Sequence, residues 1–370
     1  METSEWYTID TVDELDTPAL VVYPDRVKYN INLVKTMIDD VSRLRPHVKT
    51  HKSIDVTYLM LNAGIKKFKC ATIAEAEMLG MAGAPDVLLA YQPTGPKLKR
   101  FVQLIKEYPQ TIFSCLADNR VIAEAISAEA IQNNITIPVY IDLNIGMNRT
   151  GILPANALQL YINCSSLPAI NIMGLHAYDG HIHDSDYIIR QKRSEESMLP
   201  VFKLTDGILA KGYPEPIIIA GGSPTYPIIA KRANVVCSPG TFVYWDRGYQ
   251  AAYPEQPFLT ATLIVARVIS LPEEGKICID LGHKSVSAEN ELAKRVHFLN
   301  APELKFIGHS EEHLVADAGV DHQYKVGDIL YGLPYHICPS VALYERAITI
   351  ENKLVTGEWK TIARDRKITV

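Results

Sequence analysis

A cluster of basic side chains in the stretch "RPHVKTHK" (45–52) is the first place where this sequence could do chemistry. His47, Lys49, His51 and Lys52 fall within six residues. If Lys49 ends a strand and lies partly desolvated beside other cations, its amine becomes a nucleophile suited to Schiff-base chemistry. Alternation along a strand would place His47 and Lys49 on one face. The alternative is a solvated basic turn, and spacing alone leaves both open.

Two short loops rich in glycine and hydroxyl groups could bind an anion. They are "GGSPT" (221–225) and "SPGT" (238–241), and each follows an apolar run. Small residues let backbone N–H groups approach a phosphate, and barrel enzymes commonly bind phosphate on the loops after their last two strands. Either loop alone could be a tight turn, but the two together favour a phosphate site. A carbonyl-reactive lysine with a phosphate site indicates pyridoxal phosphate (PLP).

A possible metal-binding pair lies near the end of the chain. His336 and Cys338 are two residues apart in "PYHICP". On a strand their side chains would point the same way, as two ligands of one ion must. Imidazole and thiolate together suit Zn²⁺. Coincidence is the alternative, because a lone H-x-C pair is a weak signal. Two protein ligands would leave positions open for water or substrate, which favours a catalytic ion.

Composition excludes several function classes. The 370 residues are 47% hydrophobic and 21% charged, with a net charge of −5, so no broad basic surface for nucleic acid is expected. The acidic N-terminus lacks a secretory signal, and no apolar run approaches the roughly 20 residues of a membrane span, so no membrane partner is expected. The six cysteines are scattered without CxxC pairs. They indicate buried thiols in a reducing compartment, and we expect a cytoplasmic protein.

The first two thirds of the chain alternate short apolar runs with amphipathic stretches. The runs are 45–50, 67–73, 86–91, 111–117, 137–144, 172–180, 216–222 and 233–240. Eight buried strands alternating with helices predict a closed parallel (β/α)8 TIM-like barrel, with a doubly wound open sheet as the alternative. In such a barrel the chemistry collects at the carboxyl ends of the strands, where the basic cluster and both glycine loops lie.

After about residue 255 the sequence pattern changes and predicts strands and turns with few helices. We therefore expect an α/β protein with a barrel over 15–253 and a smaller C-terminal β domain over 254–370. The N-terminal segment 1–14 is expected to pair with the sheet of the β domain.

Taken together, the motifs resemble the metal-activated, PLP-dependent family of D-threonine aldolases and D-serine dehydratases, which have an alanine-racemase-like barrel. The matching stretches run in one order over nearly the whole chain. They are "LDTPALVV", "RPHVKTHK", "GMNRTG", "GLHAYDG", "GGSPT", "SPGTFVYWD", "SEEH" and "PYHICP". "RPHVKTHK" and the late H-x-C are the specific ones, since the glycine loops would not suffice alone.

The resemblance implies a role for each matching residue. Lys49 would be the Schiff-base lysine with His47 beside it, Arg149 would contact the phenolic oxygen of the cofactor, and Tyr178 would face its pyridine nitrogen. His336 and Cys338 would hold the divalent metal, Zn²⁺ or Mn²⁺. The implied phosphate cradle consists of Gly221, Gly222, Ser223, Thr225, Gly240 and Thr241.

A catalytic histidine is implied in the loop "DGHIHD" (179–184), where the resemblance offers His181 and His183. The family's histidine falls one position further along, at Asp184, so the assignment is open by a residue. The alternative is that both are surface-loop histidines.

The implied function is that of a lyase acting on a small D-β-hydroxy amino acid. We expect D-threonine aldolase activity, which yields glycine and acetaldehyde. D-serine dehydratase, giving pyruvate and ammonia, is the alternative, and Cys338 favours it because the aldolases often have a carboxylate at that position. A related lyase or racemase also stays open. A PLP-binding protein without strong catalysis is disfavoured, because such proteins lack the β domain and the metal pair. The resemblance further implies a homodimer.

Overall fold

The computed structural model describes residues 5–370, which form two compact units. The first, here called the parallel-sheet unit, contains residues 32–49, 57–240 and 365–370. The second, here called the β unit, contains residues 50–56 and 241–364 together with the described residues up to 31. This division by contacts differs from the expected bounds at residues 15 and 254, and those domain bounds stay predictions.

The strands and helices are numbered in chain order. The strands are β1 (Ala19–Val22), β2 (Lys67–Cys70), β3 (Asp86–Leu89), β4 (Ile112–Ala117), β5 (Ile137–Leu143), β6 (Ile170–Ala177), β7 (Ile217–Ala220), β8 (Val235–Cys237), β9 (Thr262–Ser270), β10 (Lys276–Ile279), β11 (Val296–Phe298), β12 (Lys305–His309), β13 (Leu314–Asp317), β14 (Ile329–Pro334), β15 (Arg346–Glu351) and β16 (Leu354–Lys360). The helices are α1 (Pro24–Thr36), α2 (Ile54–Asn62), α3 (Ile73–Met81), α4 (Pro96–Glu107), α5 (Arg120–Gln132), α6 (Pro154–Ser165), α7 (Tyr187–Ala210), α8 (Tyr226–Ile229), α9 (Arg247–Ala252) and α10 (Ile337–Val341).

The parallel-sheet unit is built on a seven-stranded sheet whose strands run in sequence order from β2 to β8. Every neighbouring pair is parallel. Helices connect the strands, so the strands are covered and apolar, and side chains such as Leu88, Leu116 and Ile219 pack into one buried cluster. The predicted alternation of strands and helices, and the alanine-racemase-like barrel class, are confirmed.

The predicted first strand, 45–50, is wrong as a strand. The segment makes only isolated parallel bridges, from Leu44 to Cys237 on β8 and from His47 to Lys69 on β2. Pro46 has no N–H to donate, although its carbonyl accepts from the Lys69 N–H at 2.8 Å. After His47 the chain turns into a short 3-10 helix, Val48–Thr50. The segment therefore bridges the first and last strands without forming an eighth regular strand.

Local signals in the sequence explain where helices of this unit begin and end. The Thr72 hydroxyl accepts a hydrogen bond from the Glu75 N–H at 3.0 Å, so α3 starts with a side-chain cap. The chain leaves α3 at Gly83, whose φ of +72° favours glycine. Helix α5 starts in the same way, with Asn119 accepting from the Ile122 N–H. These caps place the loops before them at the carboxyl edge of the sheet.

The β unit is a nine-stranded mixed sheet with the order β12-β13-β10-β9-β1-β15-β16, and β14 pairs with both β9 and β11. Strand β1 is antiparallel to β9 and parallel to β15. The expected C-terminal β architecture is therefore present, with β1 inside the sheet.

The N-terminal segment packs on this sheet, although its described residues 5–14 contain no strand. Ile9 and Leu15 belong to a buried cluster with Leu263 and Tyr331, and the Asp10 N–H donates to the Lys353 carbonyl. Residues 1–4 of the predicted segment lie outside the described residues. In the described part of the chain, no helix is both long and apolar enough to cross a membrane.

Candidate active site

A cavity of about 650 Å³ opens at the carboxyl ends of β2 to β6 in the parallel-sheet unit. A cavity of this size suits a cofactor-sized ligand. Four residues singled out from the sequence line it together: His47, Lys49, Arg149 and Tyr178. The structure thus brings together the predicted Schiff-base lysine and three of its predicted partners.

The backbone at Lys49 is not the strand end that the sequence predicted. It lies in the 3-10 helix that follows His47, so strand alternation does not relate the two residues. The Lys49 N–H instead donates to Nδ1 of His47 at 3.2 Å. This local turn fixes the histidine ring beside the backbone of the lysine, which is why both still line one cavity.

Arg149 and Tyr178 stack on each other in the wall of the cavity. The guanidinium carbon of Arg149 lies 4.9 Å from the centroid of the Tyr178 ring, which is cation–π geometry. The ring also packs against the backbone of Gly180, where any Cβ would overlap the phenol. The glycine in "YDG" therefore sets the orientation of the tyrosine.

A buried histidine–carboxylate pair, His176 and Asp142, lines the same cavity and was missed from the sequence. Nδ1 of His176 lies 2.7 Å from Oδ1 of Asp142, and both side chains are less than 10% exposed. Burial lowers the pKa of His176, and the Asp142 carboxylate opposes this only in part. Burial, the largest single cause, would raise the pKa of Asp142, but the hydrogen bond and charge of His176 together with Thr150 and Arg149 outweigh it, and the pKa is lowered. The pair therefore consists of a neutral imidazole and a carboxylate.

The tautomer of His176 follows from this hydrogen bond. With the proton on Nδ1 donated to the carboxylate, Nε2 is a lone-pair acceptor, and it has no partner among the residues the structure describes. A free acceptor on a cavity-lining ring can bind a donor of a ligand. The position of His176 near the end of β6, two residues before Tyr178, was the available sequence signal.

Lys69 is a second lysine in the cavity, also missed because "KFKC" was interpreted only as a buried strand. Its side chain is 3% exposed, and its Nζ lies 5.4 Å from the centroid of the Tyr178 ring. The pKa of this amine is lowered to about 7, chiefly by burial and next by the charge of Lys49.

The two predicted anion loops lie against each other. The Ser238 N–H donates to the carbonyls of Ala220 and Gly221, and the Gly240 N–H donates to Oγ of Ser223 at 3.1 Å. Gly221 has a φ of +72°, and a Cβ there would lie 3.0 Å from that of Ile229, so this turn requires glycine. The structure thus brings the loops together as expected.

Part of this predicted cradle is bound internally. The Gly222 N–H and the Thr225 hydroxyl both donate to the carboxylate of Asp179, which is 1% exposed. Ser238 has a buried hydroxyl with no hydrogen-bond partner in residues 5–370. A bound phosphate oxygen would satisfy that hydroxyl, so the loops fit the phosphate of PLP. Thr241, the last predicted member, begins a 3-10 helix of the β unit, Thr241–Val243.

The two candidate catalytic histidines lie on a well-anchored loop. The His181 ring packs on Gly146, where a Cβ would meet the ring, and burial lowers the pKa of His181. Asp184 pairs with Arg193 at 2.7 Å and so ties the loop to α7. Neither His181 nor His183 is among the residues that line the cavity. Their catalytic role stays a prediction.

The predicted metal pair lies in the β unit and not on a strand, contrary to the expectation. His336 is the residue immediately before α10 and makes no capping hydrogen bond through its side chain, and Cys338 lies in the first turn of the helix. Nδ1 of His336 contacts the Glu289 carboxylate, and Sγ of Cys338 lies 3.1 Å from Oγ1 of Thr50. Burial alone would lower the pKa of His336, but hydrogen bonds with Cys338 and Glu289 raise it to about 9.

A nitrogen and a sulfur donor thus lie side by side, which fits two positions of a borderline-soft divalent cation. Across residues 5–370, no group of three or more histidine, cysteine, aspartate or glutamate side chains is arranged to hold a metal ion. The metal role of His336 and Cys338 therefore stays a prediction.

Comparison with known proteins assigns the chain to a family. The model of the alanine racemase N-terminal domain matches residues 22–248. The chain belongs to this family. Membership implies PLP as the cofactor, and the resemblance stated from the sequence is confirmed. A second model, described as a putative serine dehydratase domain, matches residues 261–350.

Individual relatives of this alanine-racemase-like chain align over nearly its full length. A D-threonine aldolase from Arthrobacter sp. is 25% identical over 366 residues, covering 96% of this chain and 94% of that protein. A D-threo-3-hydroxyaspartate dehydratase from Delftia sp. (strain HT23) is 24% identical over 389 residues, covering 94% and 98%. The crystal structure of D-threonine aldolase from Filomicrobium marinum superposes with a TM-score of 0.87 at 23% identity, covering 98% and 99%, and supports the fold.

Proposed function

We propose that this chain is a PLP- and divalent-metal-dependent lyase that cleaves D-β-hydroxy amino acids, with D-threonine aldolase as its activity. The observation that carries the proposal is the meeting of Lys49, Arg149 and Tyr178 in one cavity of about 650 Å³. Relatives that align over more than nine tenths of the chain are an aldolase and a dehydratase of such amino acids. They support the class of reaction, and the choice of substrate is our proposal.

PLP, when bound, supplies an electron sink for the amino acid attached to it. The chain's own residues bind and orient. The Lys49 amine provides the attachment point, and the Ser238 hydroxyl with the glycine loops accommodates the phosphate. Arg149 is stacked on Tyr178, and it would supply the cation beside the phenolic oxygen of the cofactor. His176 keeps its proton on Nδ1 and leaves the buried Nε2 as an acceptor without a partner in residues 5–370.

We propose His336 and Cys338 as the ligands of the divalent ion, Zn²⁺ or Mn²⁺, and a homodimer as the assembly. The support for the ion is the donor set, since imidazole and thiolate side by side match the preference of Zn²⁺, whereas Mn²⁺ prefers oxygen ligands. His181 and His183 stay the proposed sources of a base for the β-hydroxyl proton.

D-serine dehydratase is the second candidate, and one observation favours it. Cys338 supplies a thiol at the metal pair, and the match of residues 261–350 to a serine dehydratase domain lies in the same part of the chain. Loss of hydroxide from Cβ needs a Lewis acid, whereas cleavage of the Cα–Cβ bond needs a base at the hydroxyl. The products therefore separate the two reactions.

The deciding experiment supplies purified protein with PLP and Mn²⁺ or Zn²⁺, then D-threonine, D-serine or D-threo-3-hydroxyaspartate in separate reactions. Glycine with acetaldehyde from D-threonine, abolished by EDTA, supports the aldolase. Pyruvate and ammonia from D-serine, or 2-oxobutyrate from D-threonine, would replace it with the dehydratase. Products from D-threo-3-hydroxyaspartate alone, either glycine with glyoxylate or oxaloacetate with ammonia, would keep the lyase class and overturn D-threonine as the substrate. Absence of every one of these products would refute the lyase proposal.

A further inference from the structure

Lys69 is the least explained charged group of the cavity. It lies on β2, where its backbone N–H is bound by Pro46 and its side chain is 3% exposed. It lines the same cavity as Lys49. Its Nζ lies 5.4 Å from the centroid of the Tyr178 ring, so both lysines and the tyrosine surround one space. The amine therefore lies in the wall of the cavity that also contains Lys49.

A merely structural lysine at such a depth would be expected to pair with a carboxylate. In the described part of the chain, the contact found for the Lys69 amine is the tyrosine ring, and no carboxylate forms an ion pair with it. The charged groups that act on it from a distance are Lys49 and Arg45, which oppose its charge, and Asp179 and Asp142, which favour it. Lys69 is thus a buried amine beside a second cation.

These surroundings make the amine a nucleophile near neutral pH. The pKa of Lys69 is lowered from the ordinary 10.5 to about 7, and burial is the largest cause, followed by the charge of Lys49. Replacing Lys49 removes the second cause and leaves the first, so the pKa of Lys69 is still lowered by burial in that variant. At pH 7 the unprotonated fraction of this amine is on the order of a thousandfold larger than that of an ordinary surface lysine. Unprotonated amines attack aldehydes, and desolvation next to a cation is a recognised way to activate them.

We propose that Lys69 is a second carbonyl-reactive amine of the cavity, which forms an imine with the aldehyde of PLP when Lys49 is absent. The inference rests on the proposed function, because it takes PLP as the occupant of this cavity. In the step, the Lys69 nitrogen lone pair forms a bond to the aldehyde carbon, and the carbonyl oxygen leaves as water with the two amine protons. No oxidant or reductant is needed.

The test is reductive trapping with peptide mapping. Wild type, Lys49→Ala, Lys69→Met and the double variant are each incubated with PLP at pH 7, reduced with borohydride, digested and analysed by mass spectrometry. In wild type we expect the pyridoxyl-phosphate adduct at Lys49. In Lys49→Ala we expect the adduct at Lys69, with roughly tenfold or more incorporation than the double variant shows at surface lysines.

Methionine matches the length and burial of Lys69 without an amine, and thermal unfolding of every variant checks that it folds. Lys69→Arg in the Lys49→Ala background keeps the charge and must lose the adduct. If wild type is labelled at Lys49 while Lys49→Ala carries no adduct at Lys69, the inference is overturned and the proposed function stands. If wild type carries no adduct at Lys49, the PLP proposal itself fails.

Discussion

The hydrogen bond between His176 and Asp142 is the part of the cavity whose energetic role can be tested most sharply. Asp142→Asn keeps the size of the side chain and removes its charge. The amide can accept from Nδ1 of His176 through its oxygen or donate to it through its NH₂, so the change removes both the charge assistance of a bond that is 2.7 Å long and the acceptor that fixes the tautomer. Any loss of stability or activity is then caused by loss of the carboxylate and not by a void left by a smaller side chain.

The magnitude follows from the burial of both partners. The side chains of His176 and Asp142 are 5% and 8% exposed, so solvent screening is weak. A hydrogen bond to a charged group contributes about 1.5–3 kcal/mol and a neutral one about 0.5–1.5 kcal/mol, so we expect Asp142→Asn to lower the free energy of unfolding by about 1–2 kcal/mol at pH 7. Catalytic rate should fall by about 100-fold, because an amide can also present its NH₂ and reverse the imidazole tautomer.

The pH dependence of this difference has a definite sign. The pKa of Asp142 is lowered from 3.8 in the folded state, because His176, Thr150 and Arg149 together outweigh the burial that would raise it. Its contribution to stability is present above pH 3.8 and is lost as the pH falls through the lower folded pKa. The gap between wild type and Asp142→Asn should therefore close in acid.

The assay is urea unfolding of wild type, Asp142→Asn, His176→Gln and the double variant. We expect a coupling free energy of about 1–2 kcal/mol between the two positions. Asp206→Asn, on an exposed site of α7, is the matched control and should change stability by no more than about 0.5 kcal/mol. A coupling free energy near zero, with the activity of Asp142→Asn unchanged, would refute the assigned tautomer and the role of the pair.

Three further predictions follow from other contacts. His51 is 1% exposed, and its burial lowers its pKa to about 3, so the unfolded chain binds a proton below pH 6.5 that the folded chain does not. In urea unfolding, the free energy of unfolding should fall by about 2 kcal/mol between pH 6.5 and pH 5. His51→Gln should remove this pH dependence. Gly180→Ala should displace the Tyr178 ring, lower the free energy of unfolding by about 1–3 kcal/mol and weaken PLP affinity in a spectrophotometric titration. The control Gly207→Ala in α7 should leave the free energy of unfolding unchanged or raise it. Dialysis against EDTA should abolish activity, and adding Mn²⁺ or Zn²⁺ should restore it. Cys338→Ala should raise the metal concentration needed for half-recovery by about 10-fold or more. An unchanged metal dependence in Cys338→Ala would contradict the assignment of Cys338 as a ligand.

The sequence indicated the cavity through short motifs, and its errors have physical causes. Lys49 and Tyr178 were found because local patterns, "RPHVKTHK" and "HAYDG", carry their signals. The strand predicted over 45–50 was wrong, although Pro46 was a visible signal against a regular strand. What the sequence did not show is that the chain turns into a 3-10 helix directly after His47. The same interpretation as a buried strand concealed Lys69, because periodicity reports which face is covered and not that a lysine is buried on it.

The His176–Asp142 pair was out of reach for a related reason. The two residues are 34 positions apart, and only the adjacent parallel register of β5 and β6 brings them together. The metal pair shows the opposite case, since spacing found His336 and Cys338, yet the assumed strand is the start of a helix. Sequence spacing located these residues, and the backbone of the structure was needed to say how they meet.

Lys49 is proposed to attach the PLP with which the chain cleaves a D-β-hydroxy amino acid, and to do so for the D enantiomer only. The most direct measurement is the rate of glycine formation from D-threonine and L-threonine, with PLP and Mn²⁺, by wild type, Lys49→Ala and the exposed-lysine control Lys66→Ala. We predict cleavage of D-threonine alone, retained in Lys66→Ala and reduced by about 10³-fold or more in Lys49→Ala. Equal cleavage of both enantiomers, or an unchanged rate in Lys49→Ala, would contradict the account.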